Sequence, residues 1–129
     1  MTDGDPSTSE LEILQVLWEL GSASVREIHA RMERRRPVGY TTTLKQLQRM
    51  LDKGFVERLA RREGETGRGH RYRATLRPRK TRGALLDRVV DTAFDGSSSA
   101  LVMHALGRWK PSAGEIDEIR ALLDELDER

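Results

Sequence analysis

The chain has 129 residues, of which 36% are hydrophobic and 34% are charged, and its formal net charge is +2. This length suits one ordinary domain, or a small domain with an oligomerising appendage, and the modest apolar content predicts a thin core. The chain has no cysteine, which excludes disulfides and thiolate metal sites.

The charge is divided unevenly along the chain. Residues 1–80 hold 17 Lys and Arg against 11 Asp and Glu, whereas residues 81–129 hold 6 against 10. Residues 34–80 are the most basic part of the chain, with 15 Lys and Arg against 4 Asp and Glu. This excess of positive charge indicates a surface that binds a polyanion. The start of the chain lacks a signal-peptide pattern and no apolar run is long enough to span a bilayer. We therefore expect a cytoplasmic protein without membrane insertion.

Capping boxes predict the first two helices. Residues 1–6 are polar and are expected to be disordered. The S-x-x-E spacing of Ser7–Glu10 opens a helix with a broad apolar stripe, and Ser24–Glu27 opens a shorter one. The second helix ends in Arg34-Arg35-Arg36-Pro37, where the arginines either contact phosphates or belong to a solvated turn.

The third predicted helix, residues 40–53, has two different faces. Leu44, Leu47 and Leu51 share one side, at 3.6 residues per turn. The other side carries groups that donate to phosphates and base edges but are poorly suited to acid/base chemistry. They are Thr42, Lys45, Gln46, Arg49 and Lys53. We interpret this segment as a recognition helix; an ordinary solvated helix face is the alternative.

A basic hairpin follows this helix. Residues 55–59 and 70–76 favour strands, and the stretch between them is rich in glycine and arginine. This order predicts a winged helix-turn-helix whose hairpin is the wing. The candidate DNA-binding residues are Tyr40, Thr41, Thr42, Thr43, Lys45, Gln46, Arg49 and Lys53 in the helix, with Arg68 and Arg71 in the hairpin.

The rest of the chain is predicted to be helical. Residues 77–82 form a basic connector whose proline breaks the strand and marks a domain boundary. Three helices with amphipathic patterns follow. This segment is too small to bury their apolar faces alone, so we expect it to form a dimer; folding back on the winged helix is the alternative. The expected interface residues are Leu86, Val90, Leu101, Val102, Leu106, Ile116, Ile119 and Leu123.

The predicted fold is mostly α with a small β-hairpin. It comprises a disordered N-terminus (1–6), a winged-helix DNA-binding domain (7–77) and a helical dimerisation domain (78–129). No catalytic or metal site and no cofactor are predicted, because the histidines are far apart without ligand spacing and no nucleophile or phosphate-loop motif is present. We therefore expect a protein that is not an enzyme.

Five segments resemble the penicillinase-repressor family, which includes the BlaI, MecI and copper-transport (CopY) winged-helix repressors. They are Leu14-Gln15-Val16-Leu17-Trp18-Glu19-Leu20-Gly21, Val25-Arg26-Glu27-Ile28, Tyr40-Thr41-Thr42, Leu47-Gln48-Arg49 and Lys53-Gly54. The likeness covers roughly residues 9–128. It implies a homodimeric transcriptional repressor that binds an operator dyad in double-stranded DNA. Such repressors are often encoded beside a membrane sensor metalloprotease whose signal leads to repressor cleavage.

The chain departs from the family at several positions. Tyr40, Thr42 and Arg49 match the family's recognition helix, but Lys45 replaces a common second threonine and Thr43 replaces a β-branched apolar residue. These departures leave the exact operator sequence open. Because there is no cysteine, copper sensing through a cysteine-rich tail is excluded.

The resemblance also implies a possible cleavage site. In the cleaved family members the scissile bond lies in the middle helix of the tail, which matches His104-Ala105 here. These two residues differ from the family's cleavage pair. One function of a different class stays open on the residues alone, a winged-helix adaptor that binds protein or RNA through the same basic face.

Overall fold

The computed structural model describes residues 4–60 and 70–128, which form six helices and a small antiparallel sheet. The predicted fold class, mostly α with a small β-hairpin, is confirmed. In chain order the elements are α1 (Thr8–Leu20), β1 (Ala23–Ser24), α2 (Val25–Glu33), α3 (Tyr40–Lys53), β2 (Val56–Leu59), β3 (Arg71–Ala74), α4 (Pro78–Ala93), α5 (Ser98–Trp109) and α6 (Ala113–Asp127).

Serine side chains cap four of these helices, including the two whose capping boxes are described above from the sequence. The Glu10 N–H donates to the Ser7 hydroxyl at 3.2 Å, and the Ser7 N–H donates to the Glu10 carboxylate at 2.8 Å. The same reciprocal pair forms at Ser24–Glu27 and at Ser112–Glu115, and Ser97 caps α5. Each cap accepts from an N–H group that has no partner within the helix.

The sheet has the order β1-β3-β2, with both pairs antiparallel. The predicted hairpin is present as β2 and β3. The first strand was not predicted, because its two residues are too few to show a periodicity. The hairpin tip, residues 61–69 with Arg68, lies outside the described residues.

The core of the winged helix lies between the first three helices and the sheet. On α3 the buried side chains are Thr43, Leu47 and Met50, whereas Leu44 and Leu51 are only half-buried. The predicted apolar side of this helix faces the core, with Leu47 at its centre and Leu44 and Leu51 packed at its edge. The remaining buried apolar residues are Ile13, Leu14, Val16, Leu17, Ala23, Val25, Ile28, Met32, Phe55, Val56 and Tyr72.

The first turns of α4 belong to the winged-helix unit. The Trp18 indole N–H donates to the Leu76 carbonyl at 2.8 Å, and the Arg82 guanidinium lies 5.5 Å from the centre of the Trp18 ring. The chain divides into compact units at residues 1–85 and 86–129. Pro78 begins α4 instead of interrupting an irregular connector, since proline suits the first position of a helix.

The second unit, residues 86–129, consists of the end of α4 with α5 and α6. None of its described residues is buried. The rings of Phe94 and His104 meet edge to face at 5.7 Å and join α5 to the segment after α4. The apolar stripes of these helices thus lack a buried core in a single copy of the chain.

Candidate nucleic-acid interface

The exposed face of α3 carries polar side chains that have no polar partner among the described residues. Thr41, Thr42, Lys45, Gln48 and Arg49 are exposed, and within the described part of the chain none of their side chains makes a hydrogen bond or ion pair. Their hydroxyl, amide and cationic groups can donate to phosphate oxygens and base edges. This face can bind a polyanion without first breaking an internal contact.

The start of α3 adds positive potential. Its N-cap is Gly39, which offers no side-chain acceptor, and its first turn contains no acidic residue. The first N–H groups of the helix therefore keep their partial positive charge. A phosphate group can be bound at such an end.

Tyr40 is positioned at this end of α3 by His29. The two rings meet edge to face at 5.6 Å, and Tyr40 remains 47% exposed. The His29 Nε2 atom donates to the Val38 carbonyl at 2.8 Å and lies 3.2 Å from the Glu33 carboxylate. These contacts tie α2 to the turn before α3 and so set where the exposed helix begins.

Gln46 and Lys53, which the sequence predicts to contact DNA, bind α1 instead. The Gln46 amide donates to the Ser9 hydroxyl at 2.6 Å, and the Lys53 ammonium donates to the Glu10 carboxylate at 2.9 Å. Burial opposes the charge on Glu10, but the Ser7 N–H and the Lys53 ammonium outweigh it and lower the Glu10 pKa. Both pairs hold α3 against the start of α1.

Two further predicted DNA-binding residues lie inside the protein. Thr43 is 1% exposed, and its hydroxyl donates to the Gly39 carbonyl at 3.2 Å. Arg71 is buried, where it pairs with the Glu27 carboxylate at 2.9 Å and donates to the Ser22 carbonyl at 3.0 Å. In this conformation neither side chain is available to DNA, and Arg71 instead joins the wing to α2.

The Glu27 carboxylate is held in its charged form by the same contacts. The backbone N–H of Ser24 is the main cause of its lowered pKa, and Arg71 adds to the effect. A single carboxylate therefore caps α2 and anchors β3.

The arginine turn between α2 and α3 contributes two free cations. Arg36 donates to the Glu12 carboxylate at 2.6 Å, whereas Arg34 and Arg35 are exposed and pair with no described residue. Arg34 and Arg35 are therefore available to a ligand, and phosphate contact by this turn stays a prediction.

The predicted dimerisation residues all lie in the second unit and are all at least partly exposed. Leu86, Val102 and Leu123 are exposed, and the other five are half-buried. Other exposed apolar side chains accompany them, among which Met103 and Trp109 are each 71% exposed. The predicted cleavage pair, His104 and Ala105, lies inside α5.

Sequence reasoning missed Gln48 and Ser9. Gln48 lies three residues after Lys45 and seven after Thr41, on the same side of a helix, so the periodicity contained the signal. Ser9 had no such signal, because 37 residues separate it from its partner Gln46.

The described residues also bear on metal binding and on membrane insertion. No group of three His, Asp or Glu side chains there could hold a metal ion. No helix there is long and apolar enough to cross a membrane.

A three-helix core whose third helix presents a free cationic face, followed by a β-hairpin, defines a winged-helix regulator. Two solved structures have a similar fold: a mutant MarR from E. coli (TM-score 0.52, 19% identity, 95% of this chain and 78% of that one) and the same mutant complexed with operator DNA (0.53, 17%, 95% and 76%).

The sequence identifies the family. The penicillinase repressor profile matches residues 6–125, so this chain belongs to that family of transcriptional repressors, whose members are not enzymes. The transcriptional regulator BlaI from two strains of Mycobacterium tuberculosis, CDC 1551 / Oshkosh and ATCC 25618 / H37Rv, is 29% identical over 120 residues, which are 92% of this chain and 82% of the relative. The resemblance inferred from the sequence motifs is thereby confirmed.

Proposed function

We propose that this repressor acts in the cytoplasm as a homodimer that binds an inverted-repeat operator in double-stranded DNA, with α3 in the major groove and the wing on the backbone. The observation that carries the proposal is the free face of α3, where Thr41, Thr42, Lys45, Gln48 and Arg49 have no internal partner among the described residues. A helix at this position of a helix-turn-helix reads base edges. The MarR mutant of similar fold is complexed with operator DNA, which supports DNA as the ligand.

Charge supports DNA as the ligand. Residues 34–80 hold 15 basic against 4 acidic residues, and this segment contains α3 and the hairpin. Asp52, in the last turn of α3, is the one acidic residue of that helix, so the negative charge lies away from its N-terminal turns. A cationic surface of this kind gives association that is strong at low salt.

The second copy of the chain would cover the apolar side chains of residues 86–129. None of the described residues in this range is buried, and the range has exposed leucine, valine and tryptophan side chains such as Leu86, Val102 and Trp109. Apolar surface of that extent is typical of an interaction site. A symmetric dimer also matches the two half-sites of an inverted repeat.

Relief of repression by proteolysis is proposed from the family resemblance, through a membrane sensor metalloprotease pathway. The pair at the corresponding position, His104-Ala105, differs from the family's cleavage pair and lies in the interior of α5. Since a protease binds its substrate as an extended strand, α5 must unwind locally before cleavage. Cutting within this helix would separate apolar residues on either side of the bond and so weaken the proposed dimer.

A mobility-shift assay against the DNA upstream of the protein's own gene tests the proposal. We expect one tight complex that contains two copies of the chain, and loss of that complex when either half of the inverted repeat is scrambled. Lys45→Ala and Arg49→Ala should weaken it, whereas the charge-matched control Arg120→Ala in α6 should not. Tight binding to RNA or to a protein with no preference for a symmetric DNA site would favour the adaptor function instead.

A further inference from the structure

A small cavity lies within the winged-helix unit, between the start of the described chain and the first turns of α4. Its volume is about 290 Å³, and its walls include Pro6, Leu76, Arg77, Lys80 and Thr81. This volume lies at the lower end of the range for ligand pockets, which runs from about 300 to 1,000 Å³. The cavity uses none of the free side chains of α3.

The polar wall of the cavity includes two exposed cations, Arg77 and Lys80. Arg77 and Lys80 form no ion pair with any residue that the structure describes. Thr81 is only 7% exposed, yet its hydroxyl makes no hydrogen bond within the described chain. In the described ranges, every side-chain oxygen or nitrogen that is fully shielded from solvent has a hydrogen-bond partner. Because the Thr81 hydroxyl has none, it is accessible from the cavity. An accessible threonine hydroxyl without an internal partner can donate a hydrogen bond to a ligand in the cavity.

The rest of the lining defines the shape of that ligand. Pro6 is buried and Leu76 is half-buried, and together they form an apolar wall beside the two cations. The first turn of α4 adds the partial positive charge of a helix N-terminus. Asp5 also lines the cavity and makes an interaction within the protein.

We propose that this cavity binds a small amphipathic monocarboxylate. The carboxylate pairs with Arg77 and Lys80 and accepts a hydrogen bond from the Thr81 hydroxyl, while the apolar part of the ligand lies against Pro6 and Leu76. A charged oxygen ligand suits these donors because charge-assisted hydrogen bonds are the stronger kind. The site goes beyond the proposed operator binding and shares no side chain with it.

Trp18 is a reporter for this site, since its indole N–H donates to the carbonyl of Leu76 in the cavity wall. The chain has two tryptophans, so Trp109→Phe in the full-length protein leaves Trp18 as the single fluorophore. We would titrate this protein with hexanoate, with uncharged hexanamide and with inorganic phosphate at constant ionic strength. We expect a saturable change in Trp18 fluorescence with hexanoate, and binding at least about tenfold weaker for the other two probes.

Substitutions in the same background separate this site from general charge effects. Arg77→Gln and Lys80→Gln should each weaken hexanoate binding by about tenfold or more, and Thr81→Val, which removes the hydroxyl at nearly constant volume, by severalfold. Arg79→Gln is the matched control, because Arg79 is exposed in the same turn but does not line the cavity. Circular dichroism checks that each variant is folded; if Thr81→Val is not, the two cation variants decide the outcome.

Four results would overturn the proposal: no saturable response to hexanoate, an equal response to hexanamide, equal affinity for phosphate, or an equal loss with Arg79→Gln. The titration contains no DNA. A failure here therefore leaves the proposed operator binding untouched, and a failure of operator binding leaves this site untouched.

Discussion

The side-chain amide of Gln46 donates a 2.6 Å hydrogen bond to the hydroxyl of Ser9, across 37 residues of sequence. Two turns further along α3, Lys53 pairs with Glu10, the next residue of α1. The N-terminal turn of α1 thus holds α3 at two points along its length. These contacts set the rotation of α3 about its axis, and under the proposed function they determine which side chains face the bases.

Lys45 is expected to read a base in the operator. Because it is exposed and unpaired in the described structure, Lys45→Ala should cost about 1–3 kcal/mol at the operator and relax discrimination at particular base pairs. Selection of binding sites from a random DNA pool measures this change. If the variant selects the wild-type motif with unchanged stringency, Lys45 does not read the sequence.

Gln46 should act through Ser9. We expect Gln46→Ala and Ser9→Ala to weaken operator binding to a similar degree, and the double variant to be no worse than either, with a coupling energy of about 0.5–3 kcal/mol. A double-mutant cycle of operator affinities gives this quantity. If Gln46→Ala alone relaxes the selected motif while Ser9→Ala leaves it unchanged, Gln46 contacts a base directly, as the sequence predicted.

Arg49 should contact a phosphate group. If the dimer neutralises about 6–10 phosphates, its affinity should fall by roughly 10³-fold or more between 50 and 200 mM salt. Arg49→Ala should weaken binding to all sequences alike and reduce the slope of log affinity against log salt by about 0.9 for each phosphate that the variant no longer neutralises. Arg120→Ala supplies the control, and an unchanged slope in the Arg49 variant would contradict this role.

The Glu10–Lys53 pair should make stability depend on pH. Because the folded-state pKa of Glu10 is lowered, the stabilisation is complete above the unfolded-state value of about 4.3 and is lost as the pH falls through the folded-state value. Glu10→Gln should therefore cost about 1–3 kcal/mol at neutral pH and much less in acid.

Urea unfolding of the two proteins at neutral and acidic pH measures this difference. Glu118→Gln on the exposed face of α6 is the control and should have little effect at either pH. A cost for Glu10→Gln that stays constant with pH would show that packing, not the charge of Glu10, supplies the stability. Glu27, whose pKa is also lowered, should add to the loss of stability of the wild type in acid.

Local features of the structure could be predicted from the sequence. The capping boxes at Ser7, Ser24 and Ser112 each depend on residues three apart, so a short motif contains all the information. The hairpin and the polar face of α3 also follow from spacing alone. The family motifs are also short contiguous segments, so they too could be recognised in the sequence.

Features that depend on distant residues could not be predicted. Spacing places Lys53 and Gln46 at the edge of the exposed face of α3, but their partners in α1 are more than 30 residues away. Arg71 was expected to contact DNA as one of several wing arginines. Its burial depends on Glu27 and Ser22, which meet it only once β1 pairs with β3.

The last prediction concerns the junction between the two units. A fragment of residues 1–85 should be folded and monomeric, because it keeps the winged-helix unit and lacks the apolar helices proposed to dimerise. It should bind a half-site weakly and lose tight operator binding.

A fragment of residues 1–78 lacks Arg82, whose guanidinium lies over the Trp18 ring. We expect this fragment to be less stable than residues 1–85 by at least about 0.5–2 kcal/mol, the range for a cation over a tryptophan ring. Sedimentation measures the oligomeric state of the fragments, and thermal unfolding measures their stability. Arg82→Ala in the longer fragment is the matched control. A dimer of residues 1–85 would place the interface in the winged helix and contradict the proposed assembly.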